Sequence, residues 1–239
     1  MEDSEVYNAI WKRTSVRKYN EKHIEKNKMD ALRISISKLN EISGLTMEFI
    51  EISDSFHTFK AFSFKNVRSV ISVKGKTDDP DLYEKCGYYG ERIVLEATAL
   101  GLGTCWVAAT FNKKCSSLNV RGNETIVCGI PVGYGAEEMS TSAEIPDAPY
   151  RKTKSVSEYL GGNTNVPEWV TSAMKAVQFA PTAMNSQKTR FSYADGKLSA
   201  EAPTGKLSTV DFGITKLHFE LAAGGKFPLG TPSEFKKDQ

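Results

Sequence analysis

The chain has 239 residues, of which 40% are hydrophobic and 25% are charged, and its 31 basic and 29 acidic residues give a formal net charge of +2. This composition excludes an intrinsically disordered chain, and the balanced charge argues against a dedicated nucleic-acid-binding protein. No apolar run approaches the ~20 residues of a membrane helix, and the acidic N-terminus lacks the apolar core of a secretory signal. We therefore expect a globular cytoplasmic protein with neither a nucleic-acid nor a membrane partner.

The first part of the chain is predicted to contain both helices and strands. Apolar residues at helical spacing precede glycines that can end a helix, and one near-continuous apolar run is typical of a strand buried on both faces. The predicted elements are a helix starting in Val6–Trp11, a helix around Met29–Leu39 ended by Gly44, strands Leu45–Ile52 and Ser69–Val73, a helix from Pro80–Leu82 to Gly101, and the buried strand Thr125–Tyr134. Residues Ala136–Tyr150 are polar, contain two prolines and are predicted to form a surface loop.

Local signals mark the elements of the second part. Asn165 is predicted to cap a helix that ends at Pro181, because a proline pushes the residue before it out of helical geometry. An Asp-Gly pair between two alternating segments is a strong hairpin signal. The predicted elements are a linker at Gly161–Thr164, the helix from Asn165 to Ala180, the hairpin Thr189–Ala194 and Lys197–Ala202 around Asp195-Gly196, a last helix near Asp211–Ala223, and a mobile tail from Thr231 to Gln239.

One internal similarity connects the two parts. The segment LEATALG at residues 95–101 resembles FELAAGG at residues 219–225, with a bulky apolar residue, a glutamate, an alanine-rich turn and a glycine in each. Alanine-rich helices that end in glycine are common, so the similarity alone does not establish a duplication.

The segment Arg13-Thr14-Ser15-Val16-Arg17-Lys18 is the first candidate binding site. Guanidinium groups offer fork-shaped donors that match phosphate oxygens, and the serine hydroxyl adds a further donor. On local chemistry alone the alternative, a solvated basic turn, is the more common outcome.

A second candidate follows the predicted helix end at Pro181. The segment Ala180–Gln187 contains Asn185 and Gln187. Each of their amides offers a donor and an acceptor that can form hydrogen bonds with the edge of a flat heterocycle. Ordinary loop chemistry is the alternative. A third segment, Gly101–Trp106, is glycine-rich, but its glycines close a helix instead of opening one, which argues against a dinucleotide-binding Rossmann unit.

Other chemistries lack their signatures. The sequence has no Gly-x-Ser-x-Gly nucleophile elbow and no Gly-x-x-x-x-Gly-Lys-Ser/Thr phosphate loop. The four cysteines form no Cys-x-x-Cys pair and the three histidines are far apart, so we expect reduced, packed thiols and no metal site.

Taken together, three of these segments resemble the FMN-dependent nitroreductase family. Residues 13–19 look like its Arg-x-Ser-x-Arg motif, which binds the flavin in that family. Residues 90–108 look like its central helix with the Gly-Leu-Gly-x-x-Trp turn, and residues 125–135 look like the buried strand that follows. Residues 180–187 look like its Pro-Ser-x-x-Asn-x-Gln motif, with Thr182 in place of serine.

The order of the motifs departs from that family. Its ordinary members carry the asparagine motif soon after Arg-x-Ser-x-Arg, where this chain reads LNEISGL at residues 39–45. Ordinary members are homodimers with FMN at the subunit interface. The resemblance therefore implies an α+β, three-layer nitroreductase-like fold, with a central mixed or antiparallel sheet flanked by helices, in which one chain forms an internally duplicated pseudo-dimer. Residues 1–160 would form the first half and residues 165–230 a shortened second half.

The resemblance also implies a site and an activity. One FMN would be bound, with NAD(P)H as the transient electron donor and a nitroaromatic, quinone or similar electron-poor molecule as acceptor in a ping-pong cycle. No side chain is assigned a catalytic role. The implied cofactor-binding residues are Arg13, Thr14, Ser15, Arg17, Val107, Ala108, Ala109, Arg151, Lys154, Pro181, Thr182, Ala183, Asn185 and Gln187.

Three points stay open at this stage. One alternative is a protein of the same fold that binds flavin or another flat ligand without turnover. Another is an interaction protein whose Arg13–Lys18 segment contacts an anionic partner. A monomeric pseudo-dimer and a further homodimer are both compatible with the sequence.

Overall fold

The computed structural model describes residues 1–52, 64–113, 118–136 and 151–238. Within these residues the helices are α1 (Asp3–Ile10), α2 (Lys26–Ser43), α3 (Leu82–Ala99), α4 (Val156–Tyr159), α5 (Glu168–Phe179) and α6 (Lys206–Ala223). The strands are β1 (Glu48–Glu51), β2 (Ser69–Lys76), β3 (Gly103–Thr104), β4 (Glu124–Gly133), β5 (Arg190–Ala194), β6 (Lys197–Glu201), β7 (Gly225–Lys226), β8 (Ser233–Glu234) and β9 (Lys236–Lys237). None of the helices in the described part of the chain has the length and apolar character needed to cross a bilayer.

A four-stranded antiparallel sheet forms the centre of the first part, in the order β1-β2-β4-β3. The register places Ile71 of β2 opposite Ile130 of β4, and both side chains are fully buried. β4 is buried along nearly its whole length, as its apolar sequence predicts for a strand covered on both faces. The predicted loop 136–150 lies outside the described residues except for Ala136, and Cys115 lies outside them as well.

The second part of the chain contains the sheet β5-β6-β8 and the small pair β7-β9. Asp195 and Gly196 both have positive φ, 53° and 76°, so the predicted hairpin turn has formed between β5 and β6. The prediction of a mobile tail is wrong. Ser233 pairs with Ala200, and Phe235 is buried with its ring centroid 5.1 Å from that of Phe219. Burial of this aromatic ring holds the tail, against the general tendency of chain ends to be mobile.

Helices α3 and α6 cross closely in the interior. A Cβ atom added to Gly87 would lie 2.0 Å from the carbonyl oxygen of Val210, and one added to Gly213 would lie 2.1 Å from the carbonyl oxygen of Glu84. The two glycines therefore permit a backbone approach that any side chain would block. The similar segments 95–101 and 219–225 lie at the C-terminal ends of these two helices.

Helix α6 differs from its prediction in length and burial. It begins at Lys206, five residues before the predicted start at Asp211, and Phe212, Lys216 and Phe219 are all buried on it. Helix α5 begins later than predicted. Pro167 and not Asn165 is its N-cap residue, and the Asn165 N–H donates to Oδ1 of Asn163 at 2.9 Å. The predicted helix ends are confirmed at Gly44, with φ 74°, and at Ala180, which is extended before the proline.

Candidate functional site

The Arg-x-Ser-x-Arg segment follows α1 and runs alongside β3. The Arg13 N–H donates to the carbonyl of Ala9 at 3.0 Å, and the Val16 N–H donates to the carbonyl of Thr104 at 2.8 Å. A Cβ atom at Gly103 would lie 2.6 Å from Cγ2 of Val16. Gly103 is therefore needed for the close approach of this segment, which gives a physical reason for the second glycine of the Gly-Leu-Gly-x-x-Trp turn.

Arg13 is a buried cation with an unpartnered donor, Nε. Its residue is 8% exposed, and among the described residues its guanidinium makes no hydrogen bond, with Nε fully buried and unpartnered. In the described part of the chain Arg13 makes one ion pair, with Glu91, whose Oε1 lies 3.9 Å from Nε. Burial lowers the pKa of Arg13, and the charge of Glu91 only partly opposes that effect.

Glu91 on α3 is the centre of a fully buried polar group that sequence reasoning missed. Its Oε1 lies 2.9 Å from Nε2 of His218 on α6, and its Oε2 accepts a hydrogen bond from the indole Nε1–H of Trp106 at 2.7 Å. Nδ1 of His218 lies 3.0 Å from the carbonyl oxygen of Ala176 on α5. The Glu91 and His218 side chains have no exposed surface.

Arg151 is the second arginine of the candidate site, and it binds to the end of α5 and to the asparagine loop. It donates to the carbonyl oxygens of Ala180 at 2.6 Å and Gln178 at 3.1 Å, and to Oδ1 of Asn185. Burial lowers the pKa of Arg151, and the positive charge of Arg13 lowers it further. That the N-terminal motif and the asparagine loop form one binding site stays a prediction.

The asparagine loop has an unusual backbone. Met184, Asn185 and Gln187 have φ values of 53°, 54° and 46°, in the left-handed region that side chains normally avoid. Such conformations cost on the order of 1–3 kcal/mol each unless surrounding contacts hold them. Met184 is fully exposed, and the peptide N–H of Ala183 donates to the carboxylate of Asp211 at 2.9 Å.

The amides of the loop bind the neighbouring chain segment. Nδ2 of Asn185 donates to the carbonyl of Lys152 at 2.7 Å. Oε1 of Gln187 accepts from the Thr153 hydroxyl at 2.9 Å and from the Lys154 N–H at 2.8 Å, and Nζ of Lys154 donates to the Gln187 carbonyl at 2.7 Å. These bonds fix residues 151–154 against the loop. The expectation that Asn185 and Gln187 face a flavin directly stays a prediction.

The other predicted residues surround this group with differing exposure. Burial raises the pKa of the Cys105 thiol, whereas the charges of Arg17 and Arg13 and a hydrogen bond with Ser15 oppose the rise, so these groups are neighbours. Val107 is buried and exchanges backbone hydrogen bonds with Gly129 at 2.9 and 2.8 Å. Of the remaining predicted residues, Pro181 is buried, Ala108, Thr182 and Ala183 are half-buried, and Thr14, Ser15, Arg17 and Ala109 are exposed.

Asp211 at the site was also missed. Its carboxylate accepts the Ala183 N–H at 2.9 Å and lies 3.5 Å from the Ser186 hydroxyl. Burial raises its pKa to about 6, against those hydrogen bonds and the charge of Lys188. The sequence signal for these residues was weak, because a polar residue inside a helical pattern is usually exposed.

The fold and sequence have known counterparts. A family model described as "Putative TM nitroreductase" matches residues 5–223. A putative nitroreductase from Thermotoga maritima MSB8 superposes with a TM-score of 0.66 at 21% identity, covering 98% of this chain and 94% of that chain. This likeness confirms the α+β nitroreductase-like fold expected from the sequence. No curated protein matches the chain.

Shorter structures match only part of the chain. A putative nitroreductase in complex with FMN from Desulfovibrio desulfuricans covers 58% of this chain and 91% of its own, at 18% identity and a TM-score of 0.47. An FMN-dependent nitroreductase from Clostridium difficile R20291 covers 59% of this chain and 94% of its own, at 24% identity and a TM-score of 0.44.

Proposed function

Because the chain belongs to the nitroreductase family, an oxidoreductase family, we propose that it is an FMN-dependent oxidoreductase that takes electrons from NAD(P)H. The acceptors would be nitroaromatics, quinones or similar electron-poor molecules. The chemistry that bound FMN supplies is acceptance of a hydride from NAD(P)H and transfer of electrons to the acceptor in a ping-pong cycle. The protein contributes binding, orientation and electrostatics.

The observation that carries the proposal is a buried arginine, Arg13, together with a half-buried one, Arg151. Arg13 has an unpartnered, buried Nε, and Arg151 is partnered by uncharged carbonyl oxygens. Burying a cation such as Arg13 without a full counter-charge costs several kcal/mol, and a second cation at the same site adds to that cost. An anionic ligand between them offsets that cost, and the phosphate and the electron-rich edge of FMN are both suited to guanidinium donors.

The residues around the arginines support a flat, anionic ligand. Ser15 and Arg17 are exposed beside Arg13 and can add donors, as the resemblance implies. The hydrogen bonds from Asn185 and Gln187 to residues 152–154 hold Arg151 and Lys154 in place. We assign these two amides to fixing the basic segment on one side of the ligand.

We also propose that the chain is a single-chain pseudo-dimer with one flavin site. The N-terminal motif comes from the first half, residues 1–160, and the asparagine loop from the second, residues 165–230. The close crossing of α3 and α6, whose C-terminal ends have similar sequences, supports this arrangement. One FMN per chain in titration is the expected result, and two per chain would contradict the proposal.

The decisive experiment is a visible absorbance spectrum. The purified protein is mixed with FMN, desalted, and then treated with NADH or NADPH under anaerobic conditions. The proposal predicts a retained flavin band that bleaches with at least one donor. A band that neither donor bleaches would leave a flavin-binding protein without this activity, and loss of the flavin on desalting would overturn the proposal.

A further inference from the structure

We propose that His218 and Glu91 are positioning residues that hold one proton between them, so that the charge of Arg13 stays available to an anionic ligand. The inference deepens the proposed function and rests on it for the identity of the ligand. It concerns a histidine on α6, a glutamate on α3 and an arginine after α1, which meet only in the folded chain.

The hydrogen-bond geometry determines how many protons the pair holds. Nδ1 of His218 lies 3.0 Å from the carbonyl oxygen of Ala176, and because a carbonyl oxygen can only accept, Nδ1 must carry a hydrogen. Nε2 lies 2.9 Å from Oε1 of Glu91. This contact is a hydrogen bond in two cases: an imidazolium donates to a carboxylate, or a protonated Glu91 donates to a neutral ring.

Both cases give the pair the same net charge. With the proton on His218, the imidazolium and the carboxylate cancel, and with the proton on Glu91, both groups are neutral. The second oxygen of Glu91 accepts from Trp106 at 2.7 Å, so both oxygens of the carboxyl group are engaged. Glu91 is therefore not a full counter-ion for Arg13, although the two side chains form an ion pair.

The consequence is a net positive site. The 3.9 Å separation between Arg13 Nε and Glu91 Oε1 is an ion pair by distance, but His218 already compensates the charge of Glu91. Among residues 1–52, 64–113, 118–136 and 151–238, Arg13 and Arg151 then have no carboxylate that fully compensates their charges. His218 thus keeps Glu91 from neutralising Arg13.

His218→Gln tests this division of roles. A glutamine can still donate a hydrogen bond to Glu91, but it cannot supply the positive charge, so Glu91 would compensate Arg13 instead. We expect the Kd for FMN to rise about tenfold or more. In His218→Gln with Glu91→Gln, the competing carboxylate is gone, and we expect affinity to return to within about threefold of the unchanged protein.

Recovery of FMN affinity in the double variant would distinguish an electrostatic role of His218 from a purely structural one. If the pair served only packing, the double variant would bind FMN as weakly as His218→Gln or more weakly, and that outcome would overturn the inference. His23→Gln is the matched control, because His23 is exposed and its ring contacts Arg68. Thermal melts of all variants establish that they are folded before binding is compared.

A second measurement uses the unsubstituted protein without FMN. In flavin-free, ¹⁵N-labelled protein, the ring nitrogens of the buried histidine report its protonation directly. The inference requires a hydrogen on Nδ1 together with a shared hydrogen at Nε2. A ring without a hydrogen on Nδ1 would refute it, whereas failure of the protein to bind FMN would refute only the proposed function.

Discussion

Replacing Arg13 with methionine is expected to change stability and ligand binding in opposite directions. Arg13 is buried and makes no hydrogen bond among the described residues, so its removal orphans no acceptor there, and Glu91 keeps His218 and Trp106. Exchanging a poorly compensated buried charge for an apolar side chain stabilises proteins by about 1–4 kcal/mol. At this chain length each kcal/mol shifts Tm by about 2–4 °C, so the ligand-free variant should melt several degrees higher.

The same substitution removes charge-assisted hydrogen bonds to the ligand. Losing about 2–3 kcal/mol of such bonding raises a Kd by roughly 30- to 140-fold. Differential scanning fluorimetry without flavin and fluorescence titration with FMN measure the two effects. A lower Tm for ligand-free Arg13→Met would refute the reasoning, because it would mean that the guanidinium is well compensated before any ligand arrives.

Arg151→Met is the matched comparison. Both arginines are at the same site, but Arg151 donates to the carbonyl oxygens of Ala180 and Gln178 and to Asn185. Of these acceptors the carbonyl of Ala180 is in a buried residue, and leaving a buried acceptor unsatisfied costs about 1–3 kcal/mol. Arg151→Met should therefore lower Tm and weaken FMN binding together. If the two variants shifted Tm in the same direction, the distinction between a partnered and an unpartnered cation would be wrong.

Three further predictions concern the framework of the site. Gly213→Ala should lower the free energy of unfolding in urea by more than about 3 kcal/mol, because its Cβ would lie 2.1 Å from the Glu84 carbonyl oxygen. Gly122→Ala is the control: its Cβ would meet nothing within 4 Å, so we expect almost no change in stability. Burial raises the pKa of Asp211 to about 6 in the folded protein, above its unfolded value. The folded state therefore holds this proton more tightly, so the stability that protonated Asp211 contributes is complete below about pH 4 and is lost as the pH rises through 6. The Asp211→Asn variant should lack that loss of about 2–3 kcal/mol, and parallel pH profiles of the two proteins would contradict this. Phe235→Ala should lower the free energy of unfolding by about 3–5 kcal/mol because the ring is buried in an aromatic cluster. A decrease of less than about 1 kcal/mol would indicate that the tail is mobile after all.

The elements that could be predicted from the sequence are those set by local backbone chemistry. Gly44 ends α2 because a residue there adopts a left-handed conformation, and Pro181 ends α5 because of its effect on Ala180. The Asp195-Gly196 turn follows from the same local preference. Each of these signals acts within a few residues, so a single sequence is enough to read it.

The features that could not be predicted depend on distant contacts. The tail is ordered because Phe235 packs on Phe219 of α6, and nothing in residues 231–239 indicates that partner. At the site, the basic motif (residues 13–18) and the amide motif (residues 180–187) are each a continuous stretch of sequence, so both could be predicted. Glu91 and His218 lie 127 positions apart, and only the crossing of α3 and α6 brings them together.

The crossing of α3 and α6 also has a consequence for biosynthesis. Ile93 and Val94 of α3 belong to the same buried cluster as Val210 and Ile214 of α6, which are synthesised more than a hundred residues later. While the ribosome is still making the later part of the chain, the side of α3 that carries Gly87 has no helix to cover it. The earlier part of the chain therefore exposes this apolar surface until α6 has left the exit tunnel, and the crossing of the two helices forms only after nearly the whole chain has been made.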